Sequence, residues 1–161
     1  MGGERVADRV AHVLRASGRT VFLTSDFRGA GGRRQVARVL RAMARGGVLL
    51  RIGHGLHAKA APSPFDGRPA PLRGVGAVAE EALALLGVTL SPSAMARAYN
   101  AGRTTQVPSG RVVAVDRRVR QAIEVGGVRI RFERVPGIPG ARASRGARPP
   151  DRGPPSMRAG P

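Results

Sequence analysis

Four arginines recur at helical spacing in the stretch GRRQVARVLRAMARGG, residues 32–47. When successive residues are placed about 100° apart around a helix, the four fall within an arc of about 60°. They are Arg34, Arg38, Arg41 and Arg45. A guanidinium group is a planar fork of N–H donors that grips phosphates and reads the edge of guanine through two parallel hydrogen bonds. The spacing therefore predicts a cationic helix face suited to a polyanion.

The opposite side of the same helix is apolar. Its members are Val36, Val39, Leu40 and Met43. One face can then pack on a core while the other enters the major groove of DNA, as a recognition helix does. Arg33 and Gln35 lie near the N-terminal flank, where the Gln35 amide is suited to adenine. The alternative interpretation is an ordinary solvated arginine face on a structural helix.

Two further helices are predicted before this one. Apolar residues at i, i+4, i+7 and i+8, beginning at Val6, indicate a helix packed on a core. A short helix is predicted after the apolar stretch 20–24, with Thr24 or Ser25 as its N-cap and Phe27 as its anchor. A glycine-rich turn then leads into the arginine-bearing helix.

A β-hairpin is predicted over residues 48–60, because alternate residues from Val48 to Ile52 are apolar and Gly-His-Gly at 53–55 suits a tight reversal. The order helix, short helix, turn, helix, hairpin is that of a winged helix-turn-helix, predicted here over residues 1–60. In such a fold the hairpin is the wing and touches the DNA backbone or minor groove. The side chains expected to contact DNA from it are Arg51, His54, His57 and Lys59.

The net charge of +18 points to the same class of partner. It arises from 28 basic and 10 acidic residues among 161, and a surplus of this size is typical of proteins that bind nucleic acid. Residues 1–60 hold 12 basic and 3 acidic side chains, a net +9, against +5 in 61–135 and +4 in 136–161. Lys59 is the only lysine. Codon bias in a GC-rich genome explains arginine over lysine, but it does not explain the scarcity of acids.

Residues 61–161 are predicted to hold a second unit and a tail. Four prolines in 61–74 indicate a linker, and 75–135 is predicted to be a small helical plus β-hairpin domain. The tail 136–161 has seven prolines and five glycines and is expected to be disordered and basic. The fold class is therefore α+β. The elements expected in 75–135 are helices over 75–87 and 91–102, with Ser91 or Ser93 capping the latter, a strand over 111–116, and a hairpin over 121–135 turning at Gly126-Gly127.

Several kinds of chemistry receive no support from the sequence. The chain has no cysteine, which excludes disulfides and thiolate metal sites. The segment GVGAVA, 74–79, matches a loose dinucleotide pattern but no apolar strand precedes it. His54 and His57 are too few for a zinc site, and Glu80 and Glu81 are expected to be exposed or to pair with arginines. We therefore predict no catalytic residues, no metal and no cofactor.

The sequence also predicts where in the cell the protein is located. No apolar run approaches the roughly 18 residues that a membrane span needs, and the N-terminus does not have the form of a secretory signal. Together with the lack of cysteine, this favours a cytoplasmic protein without a membrane partner.

Four segments resemble the AbiEi-type antitoxins of bacterial type IV toxin–antitoxin systems. They read FLTSDF, VARVLRAMARGGVLLRIGHGLHA, LSPSAMARAYNAGRTTQVPSGRVVAVD and IEVGGVRIRFERVP. The resemblance spans residues 20–136 and is strongest in GVLLRIGHGL and TTQVPSGRVVAVD. It implies a winged helix-turn-helix repressor that binds double-stranded DNA at its own promoter. The DNA-contacting region of the family matches the helix 33–45 and the hairpin 51–59.

The resemblance also implies a functional partner, a nucleotidyltransferase-type toxin that the antitoxin opposes without a tight stable complex. Two other classes of function stay open on the residues themselves. One is a protein-interaction module that binds a toxin or another partner through the C-terminal hairpin. The other is an RNA-binding protein that uses the basic hairpin 121–135, although an aromatic content of 3% is low for base stacking. The sequence leaves the oligomeric state open.

Overall fold

The computed structural model describes residues 5–135, which form a mixed α+β structure. The helices of this part are α1 Val6–Ala16, a 3-10 helix Thr24–Ala30, α2 Arg33–Arg45, α3 Val75–Leu85 and α4 Ala94–Asn100. The strands are β1 Val21–Leu23, β2 Leu49–Gly53, β3 Leu56–Pro62, β4 Pro69–Pro71, β5 Leu90–Ser91, β6 Val112–Val115, β7 Glu124–Val125, β8 Val128–Arg129 and β9 Arg131–Arg134. None of these helices is long and apolar enough to cross a membrane. The predicted tail 136–161 lies outside the described residues.

The central sheet has the strand order β1-β3-β2, with β4 paired to the far end of β3. All of its pairs are antiparallel. Strands β2 and β3 form the predicted hairpin, and their reversal uses Gly55 at φ 66°, a conformation that favours glycine. The pairing shifts between Arg51 and Gly53, so a bulge lies just before the hairpin tip.

Both faces of this sheet are buried. Along β1, Val21 packs in one hydrophobic cluster and Phe22 in the other. The cluster of Phe22 also holds residues of α1, the 3-10 helix and α2, whereas the cluster of Val21 holds residues of α3 and of the C-terminal strands. Of the alternate apolar residues predicted along β2, Leu50 and Ile52 do pack on one cluster, whereas Val48 is 52% exposed. The intervening Leu49 packs on the other cluster, against the helices.

Glu81 joins α3 to the central sheet. Its Oε1 accepts hydrogen bonds from the backbone N–H of Thr20 at 2.9 Å and of Val21 at 3.0 Å, and its Oε2 accepts from Thr20 Oγ1 at 2.6 Å. Arg73 Nη1 lies 3.7 Å from Oε2. The expectation that Glu81 is exposed was wrong, because these donors hold a side chain that is only 19% exposed. Glu80 does face solvent.

The segment 61–74 is more ordered than a linker. Its strand β4 pairs with β3 in the register Ala60↔Pro71, Ala61↔Ala70 and Pro62↔Pro69. Proline is tolerated here because β4 is an edge strand whose N–H groups need not join a ladder. The predicted division into separate domains stays a prediction; one hydrophobic cluster contains residues from both sides of this segment.

The C-terminal elements largely follow the predicted ones. Helix α4 is capped by Ser93, whose Oγ accepts from Ala96 N at 3.2 Å. Strands β7 and β8 form a hairpin at Gly126 and Gly127, whose φ values are 57° and 81°. The predicted hairpin is nevertheless shorter than 121–135, because β9 leaves it and pairs in parallel with β6.

The short helix before α2 is a 3-10 helix with a different cap. Phe27 is fully buried, as expected of its anchor. Neither Thr24 nor Ser25 is the N-cap, because the helix begins one residue earlier than predicted and Leu23 holds that position. The Asp26 carboxylate instead accepts from the Leu23 N–H at 2.9 Å and pairs with Arg19 at 3.0 Å.

Candidate functional site

Helix α2 shows the two faces that the arginine spacing predicts. Val36 is 2% exposed and Leu40 is 1% exposed, and both pack on the cluster that contains Phe22 and Phe27. The predicted polar and cationic residues of the helix are all exposed: Arg33, Arg34, Gln35, Arg38, Arg41 and Arg45. The helix therefore presents a row of guanidinium groups to solvent from a rigidly packed backbone.

The arginines of α2 are not neutralised by acids of this part of the chain. The ion pairs within residues 5–135 are Arg19–Asp26, Arg68–Asp66 and Arg73–Glu81. Arg41 Nε donates to the carbonyl oxygen of Ala37 at 3.2 Å, which leaves its terminal amino groups for another acceptor. The positive charge of this face is thus available to an external anion.

The N-terminus of α2 strengthens this preference for an anion. Gly32 is the N-cap and offers no side-chain acceptor, and the first turn contains no acidic residue. Arg33 and Arg34 instead place positive charge where the helix dipole is already positive, an arrangement that costs a few tenths of a kcal/mol or more. A bound anion would relieve this repulsion and accept the unpaired backbone N–H groups.

The β2–β3 hairpin contributes Arg51 and His54 to the same region. Both are exposed, and both border the groove that separates the hairpin from α2. We name it the α2–hairpin groove. Its volume is about 830 Å³. The floor is formed by Leu23, Phe27, Val36 and Leu40, and the rim carries Arg28, Arg33, Arg41, Arg51 and His54.

His57 was predicted to contact DNA, but the structure buries it. The residue is 7% exposed, and its Nε2 lies 3.3 Å from Thr24 Oγ1. Its Nδ1 is buried without a hydrogen-bond partner among the described residues. Burial, and then the positive charge of Arg51, lower the pKa of His57 below its usual 6.5. The imidazole is therefore neutral at pH 7 and offers no charge to a phosphate.

Lys59 was also predicted to contact DNA, and it is occupied elsewhere. Its Nζ donates to the carbonyl oxygen of Ser17 at 2.8 Å and lies 5.4 Å from the centre of the Phe22 ring. Arg19 lies over the same ring at 5.0 Å. Lys59 thus ties β3 to the end of α1. The alternating pattern of residues along β3 does not indicate that Lys59 has this distant acceptor.

Arg28 is the residue of this site that the sequence did not single out. It follows Phe27 in the 3-10 helix and is exposed on the rim of the groove. The signal was present, because a buried anchor at position 27 turns its neighbour outward. The predicted site was restricted to α2 and the hairpin, so the contribution of the 3-10 helix was missed.

The other candidate sites remain separate from this groove. On the C-terminal hairpin Arg129 is exposed, and Arg131 of β9 is exposed beside it. The Gly76 of the loose dinucleotide pattern lies against Gly110, where an added Cβ would come within 3.2 Å of Gly110 Cα, so this glycine has a packing role. Within residues 5–135 no group of three or more potential metal ligands of the His, Cys, Asp and Glu types was found.

What the fold and the site define is an α+β protein with a cationic helix face beside a β-hairpin. No known family, curated protein or solved structure was found to match the chain. The resemblance to the AbiEi-type antitoxins therefore rests on the four sequence segments quoted above.

Proposed function

We propose that this chain binds double-stranded DNA as a winged helix-turn-helix protein, with α2 as the recognition helix and the β2–β3 hairpin as the wing. The observation that carries the proposal is the exposed, unneutralised row of arginines on α2, set on a buried apolar face. The element order from α1 to β3 supports it. Helix α2 has 13 residues, about 20 Å at 1.5 Å each, and an α-helix fits the major groove.

Binding divides into contacts that position the protein and contacts that read sequence. Arginine–phosphate contacts supply most of the affinity, because they release counterions from the DNA. Specificity comes from one or two side chains near the N-terminal half of α2, namely Arg34, Gln35, Arg38 or Arg41. Arginine pairs with guanine and glutamine with adenine through two hydrogen bonds each. Arg51 and His54 contact the backbone from the hairpin.

The test compares two double variants that remove the same charge. Arg34→Ala plus Arg38→Ala removes two guanidinium groups from the α2 face. Arg118→Ala plus Arg120→Ala removes two exposed arginines from the loop after β6. Gel shifts on the DNA upstream of the protein's own gene should show at least about a tenfold loss for the first pair, since removing a hydrogen bond to a charged group weakens binding by about 1.5 kcal/mol or more. The second pair should lose much less.

Equal binding by wild type and the α2 pair would remove α2 from its assigned role. A single-stranded RNA competitor in the same assay distinguishes RNA binding from duplex DNA binding. If RNA displaces the duplex, and Arg129→Ala plus Arg131→Ala lowers the affinity for nucleic acid more than the α2 pair does, the basic surface of β8 and β9 is the binding surface instead.

The biological role that we propose is autoregulation as the antitoxin of a type IV toxin–antitoxin pair. It is supported by the sequence resemblance alone, and it includes a cytoplasmic location. The test has two parts. A nucleotidyltransferase-type reading frame should lie beside this gene, and co-expression of this chain should relieve the growth arrest that the neighbour causes. Growth arrest without relief would contradict the antitoxin role. Copurification of the two proteins would favour the direct-binding alternative.

A further inference from the structure

We propose that the α2–hairpin groove binds a small organic acid with an apolar body, and that this ligand competes with DNA. The binding of the ligand goes beyond the proposed function and does not depend on it; the competition does rest on it. The groove volume of about 830 Å³ lies within the range of small-molecule sites, about 300–1,000 Å³.

The charges around the groove select an anion. Arg28, Arg33, Arg41 and Arg51 border it, and no residue that lines it is an aspartate or glutamate. The nearest acid in sequence, Asp26, is held on Arg19 and on the Leu23 N–H. Within the described residues, Arg28, Arg33 and Arg51 therefore have no carboxylate partner.

The floor of the groove selects an apolar body. Leu23 and Ala37 are half-buried and offer accessible apolar surface there, whereas Phe27, Val36 and Leu40 line the groove but are at most 2% exposed. A bare phosphate would use the arginines and leave Leu23 and Ala37 uncovered. A flat hydrocarbon carrying one acidic group would use both, because burial of apolar surface adds to the charge-assisted hydrogen bonds.

The wall of the groove adds neutral polar groups. Thr24 and His57 line it, and the lowered pKa of His57, caused by burial and by Arg51, keeps the imidazole uncharged. Thr24 Oγ1 is 3.3 Å from His57 Nε2 and 3.4 Å from the carbonyl oxygen of Gly55, both long contacts. A hydroxyl on the ligand is therefore a suitable partner for this wall.

Competition with DNA follows from shared residues. Arg33, Arg41 and Arg51 border the groove and also belong to the surface proposed to hold DNA phosphates. An acid bound among them neutralises these side chains and occupies the space between α2 and the hairpin. By linkage, a ligand that binds only the DNA-free protein lowers the apparent affinity for DNA.

The ligand site is tested on the full chain without DNA. Naphthoate and its uncharged analogue naphthamide are titrated by calorimetry, with inorganic phosphate as a third probe. We expect naphthoate to bind at least about tenfold tighter than naphthamide, since one charge-assisted contact is worth that much. We also expect it to bind tighter than phosphate. Equal binding of naphthoate and naphthamide, or of naphthoate and phosphate, would overturn the proposal.

Two leucine substitutions on α2 test the location. Ala37→Leu fills the floor of the groove, whereas Ala42→Leu adds the same side chain at an exposed position of the same helix that does not border the groove. Ala37→Leu should weaken naphthoate about tenfold, and Ala42→Leu should leave it unchanged. Equal affinity of the two variants contradicts the location. If Ala37→Leu fails to fold, Arg51→Gln should weaken naphthoate and not naphthamide.

The competition is tested separately by adding naphthoate to the protein–duplex complex. Release of the duplex by naphthoate, and not by naphthamide, supports competition. Naphthoate binding without release of the duplex overturns the competition and leaves the site intact. If the chain binds no duplex at all, the proposed function fails while the calorimetric result still decides the ligand site.

Discussion

Glu81 provides the sharpest test of how the two halves of the structure are joined. Its carboxylate accepts from the N–H groups of Thr20 and Val21 and from the Thr20 hydroxyl. Glu81→Ala leaves both N–H groups without a partner. Each buried donor left unpaired costs about 1–3 kcal/mol, and the hydroxyl can rotate to another acceptor. Because the side chain is 19% exposed, water restores part of the loss, so we expect the free energy of unfolding to fall by about 3 kcal/mol.

The measurement is equilibrium unfolding in denaturant, with stability taken by linear extrapolation. Glu80→Ala is the matched control, because Glu80 is the exposed neighbour on the same helix; its effect should stay within about 0.5 kcal/mol. Glu81→Gln keeps the shape and one acceptor oxygen for the two N–H groups, but it replaces the oxygen that accepts from the Thr20 hydroxyl with an NH2 donor, so a loss of about 1 kcal/mol is expected. A double-mutant cycle with Thr20→Val should give a coupling of at least about 0.5 kcal/mol. If Glu81→Ala and Glu80→Ala are equally mild, the tether does not stabilise the fold.

Three further predictions concern the histidine, the lysine and the shared core. The pKa of His57 is below 6.5 in the folded protein, so the unfolded chain binds a proton at a higher pH than the folded chain does, and thermal stability should fall as pH drops below 6.5. The fall should be smaller in His57→Gln, and a pH profile of that variant identical to that of wild type would refute the assignment. Lys59→Met should lower the free energy of unfolding by about 1 kcal/mol, because the hydrogen bond from Lys59 to Ser17 is removed. Arg51→Met should change it by less than about 0.5 kcal/mol, and equal effects of the two variants would show that the Lys59–Ser17 contact does not stabilise the fold. A fragment of residues 1–60 exposes the sheet face that α3 covers, so it should unfold without a cooperative transition; full-chain stability in the fragment would show that the first half folds alone.

Local periodicity was enough to predict most of the elements. The 3.6-residue spacing predicted α2 with its buried Val36 and Leu40, and the paired glycines predicted the turn between β7 and β8. These features depend on neighbours within a few residues, which the sequence displays directly. The arginine face of α2 belongs to the same kind, because it is the complement of the buried side.

Contacts between residues far apart in the sequence could not be predicted from local periodicity. The partners of Glu81, Lys59 and His57 lie 61, 42 and 33 residues away, so no local pattern distinguishes these side chains from exposed ones. The parallel pairing of β9 with β6 is equally non-local. One clue was present in the continuous apolar run of β1, since a strand with both faces buried reads as an unbroken apolar stretch. That run indicated a covering layer on the second face of the sheet.

The salt dependence of duplex binding tests the central claim most directly. Affinity for the upstream duplex is measured by fluorescence anisotropy across a salt series for wild type, the Arg34→Ala plus Arg38→Ala pair and the Arg118→Ala plus Arg120→Ala pair. If α2 grips the phosphates, wild type should show a steep negative slope of log K against log salt. The α2 pair should be shallower by about 0.9 for each of Arg34 and Arg38 that holds a phosphate, and by about 1.8 if both do, while the control pair should match wild type. A flat wild-type response, or equal slopes in all three proteins, would contradict the account.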